Sequence, residues 1–69
     1  MDSEIIFLVQ ESPEGGYEAK AVSHSIFTEA DSMKELRVMV RDAVETHFGE
    51  HDRPKMIRLH LVKDEIIPV

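Results

Sequence analysis

Glu4 to Glu11 is a short apolar run, Ile5 to Val9, bounded by polar residues. Ile5, Phe7 and Val9 share one side of an extended chain, and Ile6 and Leu8 share the other with Glu4 and Gln10. This pattern predicts a strand, and because both sides are apolar at its centre, one covered on both faces. Ser12-Pro13-Glu14-Gly15-Gly16 follows. Proline fixes φ for a turn and the glycines accept positive φ, so a tight reversal is expected. Tyr17 to Val22 predicts a second strand, with Tyr17, Ala19 and Ala21 on one side and Glu18, Lys20 and Val22 on the other. The small alanines leave room above them for a helix. Ser23-His24-Ser25 interrupts the apolar run, and Ile26 to Glu29 predicts a short third strand.

The spacing then changes. Ser32 is an N-cap residue with Glu35 three positions on, the capping-box arrangement. Met33, Leu36, Met39, Val40, Ala43, Val44, His47 and Phe48 share one helical stripe, with Lys34, Arg41, Asp42 and Glu45 outside it. Gly49 suits the residue after the helix, and Asp52-Arg53-Pro54 prevents continuation. Lys55 to Val62 alternates, with Ile57, Leu59 and Leu61 set against Arg58 and His60. The tail, Lys63 to Val69, carries Ile66, Ile67 and Val69, which are expected to fold back or to meet another subunit. The reading is an α+β fold in the order β-β-β-α-β. Three strands form an antiparallel meander, a further strand follows the helix, and the helix lies on one sheet face. Residues 1–69 form a single domain.

Length makes oligomerisation an early expectation. A chain of 69 residues without cysteine has a thin core and no disulfide to brace it. A homo-oligomer, a dimer or larger, built through Ile66, Ile67 and Val69 is the expected remedy. Fourteen acidic residues against eight basic ones give a net charge of -6. That balance disfavours direct contact with nucleic acid and suits a basic protein partner. No run approaches the length of a membrane span, and Met1-Asp2-Ser3-Glu4 is acidic where a signal peptide is basic, so the expected compartment is the cytoplasm.

Catalytic patterns are weak. His47 and His51 are four apart, but Gly49 stands between them, and His24 and His60 lie on different strands, so no metal site is expected. Ser23-His24-Ser25 pairs a nucleophile with a base, yet neighbours in extended chain point to opposite faces and no orienting acid is near. Gly15-Gly16 precedes a strand rather than a helix, which suits a hairpin and not a phosphate loop. Arg53, Lys55, Arg58 and Lys63 are diluted by Asp52, Asp64 and Glu65 and suit the guarding of a strand edge. The chain is expected to bind rather than to catalyse, without a cofactor.

Gly16-Tyr17-Glu18-Ala19, Ile26-Phe27-Thr28, Ala30-Asp31-Ser32-Met33-Lys34-Glu35-Leu36 and Arg41-Asp42-Ala43-Val44-Glu45 together resemble the HicB-like antitoxin family. The likeness runs through nearly the whole chain. Ser23-His24-Ser25 departs from the family's Pro-Gly-Cys, and Ala30-Asp31-Ser32 from its Gly-Asp-Thr. Many relatives append a DNA-binding domain, which is not expected here. The resemblance implies a degraded ribonuclease-H-like domain whose partner is a HicA-like toxin, a small basic RNA-cleaving protein. It makes Glu11, Glu14, Glu18 and Glu29 candidate partner contacts, with ordinary exposed acids as the competing reading. The alternative is a stand-alone oligomeric domain with no toxin partner, able to hold a small ligand between helix and sheet.

Overall fold

The computed structural model describes residues 3–69; the acidic start at Met1 and Asp2 lies outside the described residues. The elements are β1 (Glu4–Glu11), β2 (Tyr17–Ala21), β3 (Phe27–Ala30), α1 (Met33–His47) and β4 (Met56–Leu61). The strands form one sheet in the order β3-β2-β1-β4. β1 pairs antiparallel with β2, and β2 antiparallel with β3, as the meander requires. β4 pairs parallel with β1, from Glu4↔Met56 to Val9↔Leu61. The α+β, β-β-β-α-β arrangement is therefore the one the sequence pattern predicts. The parallel pairing follows from the helical crossover, because a parallel strand needs a connection of a dozen residues or more.

Local chemistry sets each turn. Ser12 N–H donates to Gly16 C=O and Gly15 N–H to Ser12 C=O, both at 3.0 Å. Gly15 and Gly16 both take positive φ, +97° and +82°. A Cβ on Gly16 would also stand 2.6 Å from the Ala30 carbonyl oxygen, so the hairpin lies tight against the end of β3. Ser32 caps α1 by accepting from the Glu35 N–H at 3.2 Å. Gly49, expected in the left-handed region after the helix, does not have positive φ. The helix ends instead at Phe48 in extended backbone, with its N–H still bonded to Val44 C=O. Arg53 adds a side-chain bond to the Glu45 carbonyl at 3.3 Å.

The core lies between one sheet face and one side of α1. Ile5, Phe7 and Val9 from β1, Ala19 and Ala21 from β2, and Ile26 meet Leu36, Val40 and Val44 from the helix. Phe7, Ala19 and Leu36 are fully sealed from solvent. Ala19 and Ala21 are small where the helix crosses them, as expected. The space between helix and sheet is filled with these side chains.

Two expectations are overturned, and of the two courses expected of the tail one is not taken. Met39 and His47 lie outside the buried part of the helical stripe, because a single helix over a sheet buries a narrower arc than the pattern offers. The second face of β1 is not covered: Ile6 and Leu8 are exposed, since α1 lies on the opposite face. The tail does not fold back, and Ile66 and Ile67 are 93% and 74% exposed.

The helix makes its main contacts with β3 and β2, not with β4. Ile57 and Leu59 on the helix side of β4 are therefore only half-buried, and Leu61 is exposed. The molecule is long for its mass, 52 × 23 × 18 Å.

Gly16→Ala is expected to destabilise the fold by more than about 1 kcal/mol, through positive φ and the clash with Ala30. Gly49→Ala, with no atom within 4 Å of the new methyl, should leave stability unchanged or raise it. Leu36→Ala should cost about 2–5 kcal/mol. Denaturant unfolding of the three variants checks this ordering.

Candidate interaction face

The uncovered sheet face is organised in rows by strand register. Glu29, Glu18 and Gln10 form one row across β3, β2 and β1. Phe27, Lys20, Leu8 and His60 form the next. Ile6 and Arg58 share a third row, and Val22 joins it by donating its N–H to the Ile6 carbonyl at 2.9 Å. Val62 closes the first row beside β1, with its N–H on the Val9 carbonyl at 2.8 Å. Phe27 is 58% exposed, Leu8 45% and Ile6 38%. Leu8, Phe27 and Val62 line one shallow depression with Gln10, Glu18 and Lys20. The face thus groups Ile6, Leu8, Val22, Phe27 and Val62 around Lys20, which stands between Phe27 and Leu8, with Glu18 and Glu29 in the row to one side and Arg58 in the row to the other.

Glu18 and Glu29 stand directly opposite each other across β2 and β3. Like charges in that position repel, and free folding gains nothing from them. Glu18 accepts only a long bond from the Gln10 amide, 3.4 Å. Among the described residues the ion pairs are Arg41–Glu45 and Arg58–Glu4, so Glu11, Glu14, Glu18 and Glu29 form none.

The structure separates the four candidate glutamates. Glu18 and Glu29 share the open face. Glu14 and Glu29 border a second hollow of about 420 Å³, around the corner at the start of α1, with Asp31 and Glu35. Glu11 is level with Tyr17 in the register and so stands on the helix side of the sheet, away from the others. The sequence pattern identified the acids but not the apolar centre they surround. Ile6, Leu8 and Val22 were legible as a second apolar side. Phe27 was not, because its face depends on the β2–β3 register.

Glu4 and Arg58 tie β1 to β4 on the same face. Arg58 donates from Nε to Glu4 Oε1 and from Nη2 to Oε2 at 3.3 Å. The hydrogen bond from Arg58, aided by its charge, lowers the Glu4 pKa, and the same bond raises that of Arg58.

The histidines gather differently from the sequence reading. His24, His47 and Phe48 form an edge-to-face cluster, with ring centroids 4.9–5.8 Å apart. Ser23 Oγ lies 3.2 Å from His24 Nδ1, within the reach that extended chain would have denied, because residues 22–25 form a bend. Both side chains are exposed and no carboxylate orients the imidazole. Among the described residues no three His, Asp or Glu side chains gather as a metal site. Among the described residues no helix is long and apolar enough to cross a membrane.

A UPF0150 protein of Archaeoglobus fulgidus is 58% identical over 52 residues, covering 75% of this chain and 77% of that protein. A UPF0150 protein of Thermotoga maritima is 46% identical over 66 residues, covering 96% of this chain and 93% of that protein. No family model matches the chain. No solved structure matches it either. With these two relatives the chain belongs to the UPF0150 family.

Glu4 remains ionised in the fold to lower pH than its ordinary 4.5. The stabilisation is therefore complete above that value and is lost as pH falls through the depressed folded value. Arg58→Met should lower the melting temperature at neutral pH, and the difference from wild type should shrink at acid pH, below 4.5. Glu29→Lys should raise the melting temperature by replacing repulsion across Glu18 with attraction. Thermal unfolding at the two pH values checks both.

Proposed function

We propose that the chain is a HicB-like binding protein of antitoxin type, which silences a small basic RNA-cleaving protein by direct contact. The observation that carries the proposal is the open sheet face, an apolar centre of Ile6, Leu8, Val22, Phe27 and Val62 edged by Glu18 and Glu29. Stable protein interfaces have this anatomy, a dry apolar middle inside a charged rim. The facing pair Glu18 and Glu29 and the net charge of -6 suit a basic partner. Two facing glutamates that weaken the isolated fold suit a surface whose charge is neutralised on binding.

In this reading Leu8 and Phe27 anchor the partner, while Glu18 and Glu29 steer it. An RNA-cleaving protein must present cationic groups to its substrate's phosphates. An acidic cover over those groups competes with RNA for the same charges. Glu14, at the hairpin tip, extends the acidic rim toward Asp31 and Glu35.

Co-expression with the protein encoded by the neighbouring open reading frame tests the proposal. The expected result is a stoichiometric complex that suppresses RNA cleavage. Phe27→Ala and Leu8→Ala should weaken the complex about tenfold or more. Glu29→Lys should slow association and flatten its salt dependence while leaving the domain folded. A folded chain that forms no complex and leaves cleavage untouched would overturn the proposal.

A further inference from the structure

The bend between β2 and β3 brings together two histidines that are far apart in the chain. Ile26 N–H donates to the His24 carbonyl at 2.9 Å, which closes the bend. There the His24 ring meets that of His47, the last residue of α1, with ring centroids 5.8 Å apart and ring planes at 82°. Phe48 stands edge-on to both, at 5.0 and 4.9 Å, and itself packs against the core. The phenyl ring is a fixed wall that keeps the imidazoles near one another.

The core needs neither imidazole. Both side chains are exposed, and among the described residues neither forms an ion pair. The hydrogen-bonding neighbour of His24 is Ser23, whose Oγ lies 3.2 Å from Nδ1. A proton on Nδ1 serves that bond and leaves Nε2 with a free lone pair, the form in which histidine ligates a metal. The ring separation suits a shared ion. A zinc-type ion sits about 2.0–2.1 Å from an imidazole nitrogen, so the ring centre lies about 3.2 Å from it, and two rings at a tetrahedral or wider angle stand about 5–6 Å apart. His24 and His47 fall within that range.

Electrostatics favours a cation at the same place. The C-terminal end of a helix carries partial negative charge and stabilises cations beside its last turn. His47 ends α1, and the chain's net charge is -6. His47 also borders a hollow of about 550 Å³ with Ser25, Asp42 and Thr46, room for the waters that complete a coordination shell. The pattern of residues sets His47 four positions from His51, but the helix stops before His51 and loses that alignment. The fold supplies His24 instead.

We infer that His24 and His47 form a two-histidine site for a divalent transition ion of the imidazole-preferring kind, Ni²⁺, Cu²⁺ or Zn²⁺. The inference is independent of the antitoxin reading. Two protein nitrogens leave the other positions to water, so the ion exchanges readily. Ca²⁺ and Mg²⁺ are not its ions, because they take oxygen ligands. The bound ion clips the β2–β3 bend to the end of α1. Phe27 follows that bend, so the clip fixes one margin of the open face.

The full chain, carrying no affinity tag, is tested on Ni²⁺ held by nitrilotriacetate. That chelator leaves open on the ion the two positions this pair fills. The expected result is retention that His24→Gln and His47→Gln each abolish, and that His51→Gln and His60→Gln leave unchanged. In solution Zn²⁺ should raise the melting temperature of the wild type and shift the imidazole resonances of His24 and His47 together. Each of the two effective substitutions should weaken Zn²⁺ binding at least tenfold. Without metal these variants should melt as the wild type does, since both side chains lie outside the core. A wild-type chain that passes the column unretained would overturn the inference. Retention that survives His24→Gln and is lost with His51→Gln would overturn it equally, by assigning the ion to His47 and His51.

Discussion

One helix must cover four strands, and it cannot. An α-helix with its side chains is about 10 Å across, whereas four strands at about 4.8 Å spacing span nearly twice that. In this chain α1 sits over β2 and β3 and reaches β1 with Leu36, Val40 and Val44. The sealed core is built at that crossing, from Phe7, Val9, Ala19 and Ala21 below and the helix above. Everything outside the helix's footprint remains underused. That includes the helix side of β4, the whole opposite sheet face and the tail after Leu61. The surfaces with the strongest claim to function are those this shortage leaves bare.

Charge follows the same division. The cations of the C-terminal half have local duties. Arg58 holds Glu4 across the β1–β4 pair, and Arg53 closes a helix carbonyl. The acids of the first hairpin and β3 have none. Glu18 and Glu29 stand opposite one another and neither forms an ion pair among the described residues, an arrangement that the fold tolerates and does not need.

Much of this was legible in the residues because local rules governed it. The bounds of β1 follow from the apolar run Ile5 to Val9 and its polar ends, the hairpin from Pro13 and two glycines, and the helix start from Ser32 and its bond to the Glu35 N–H. What escaped depends on partners far along the chain. Ile6 and Leu8 look buried in sequence, because an apolar side of a strand gives no sign of whether anything covers it. Met39 and His47 satisfy helical spacing yet lie off the buried arc, whose width depends on the sheet below. Phe27 needed the register of β3 before its face was known. Gly49 suited a left-handed cap, but an extended Phe48 ended the helix first. The acids of the candidate face were readable, and the apolar centre that gives them purpose was only half readable.

The parallel partner of β1 is the last strand of the chain, so contacts such as Glu4–Arg58 join residues 54 apart. A ribosome delivers residues in order. By the time α1 has emerged, β1, β2 and β3 can already form a sheet under their helix, with β1 as its outer strand. Until Met56 to Leu61 arrive, a long apolar strand stands with one row of backbone groups unpaired. The nascent protein therefore passes through an interval in which its most hydrophobic strand is open to any extended chain nearby. Closure by β4 ends that exposure only once Met56 to Leu61 have followed the helix out.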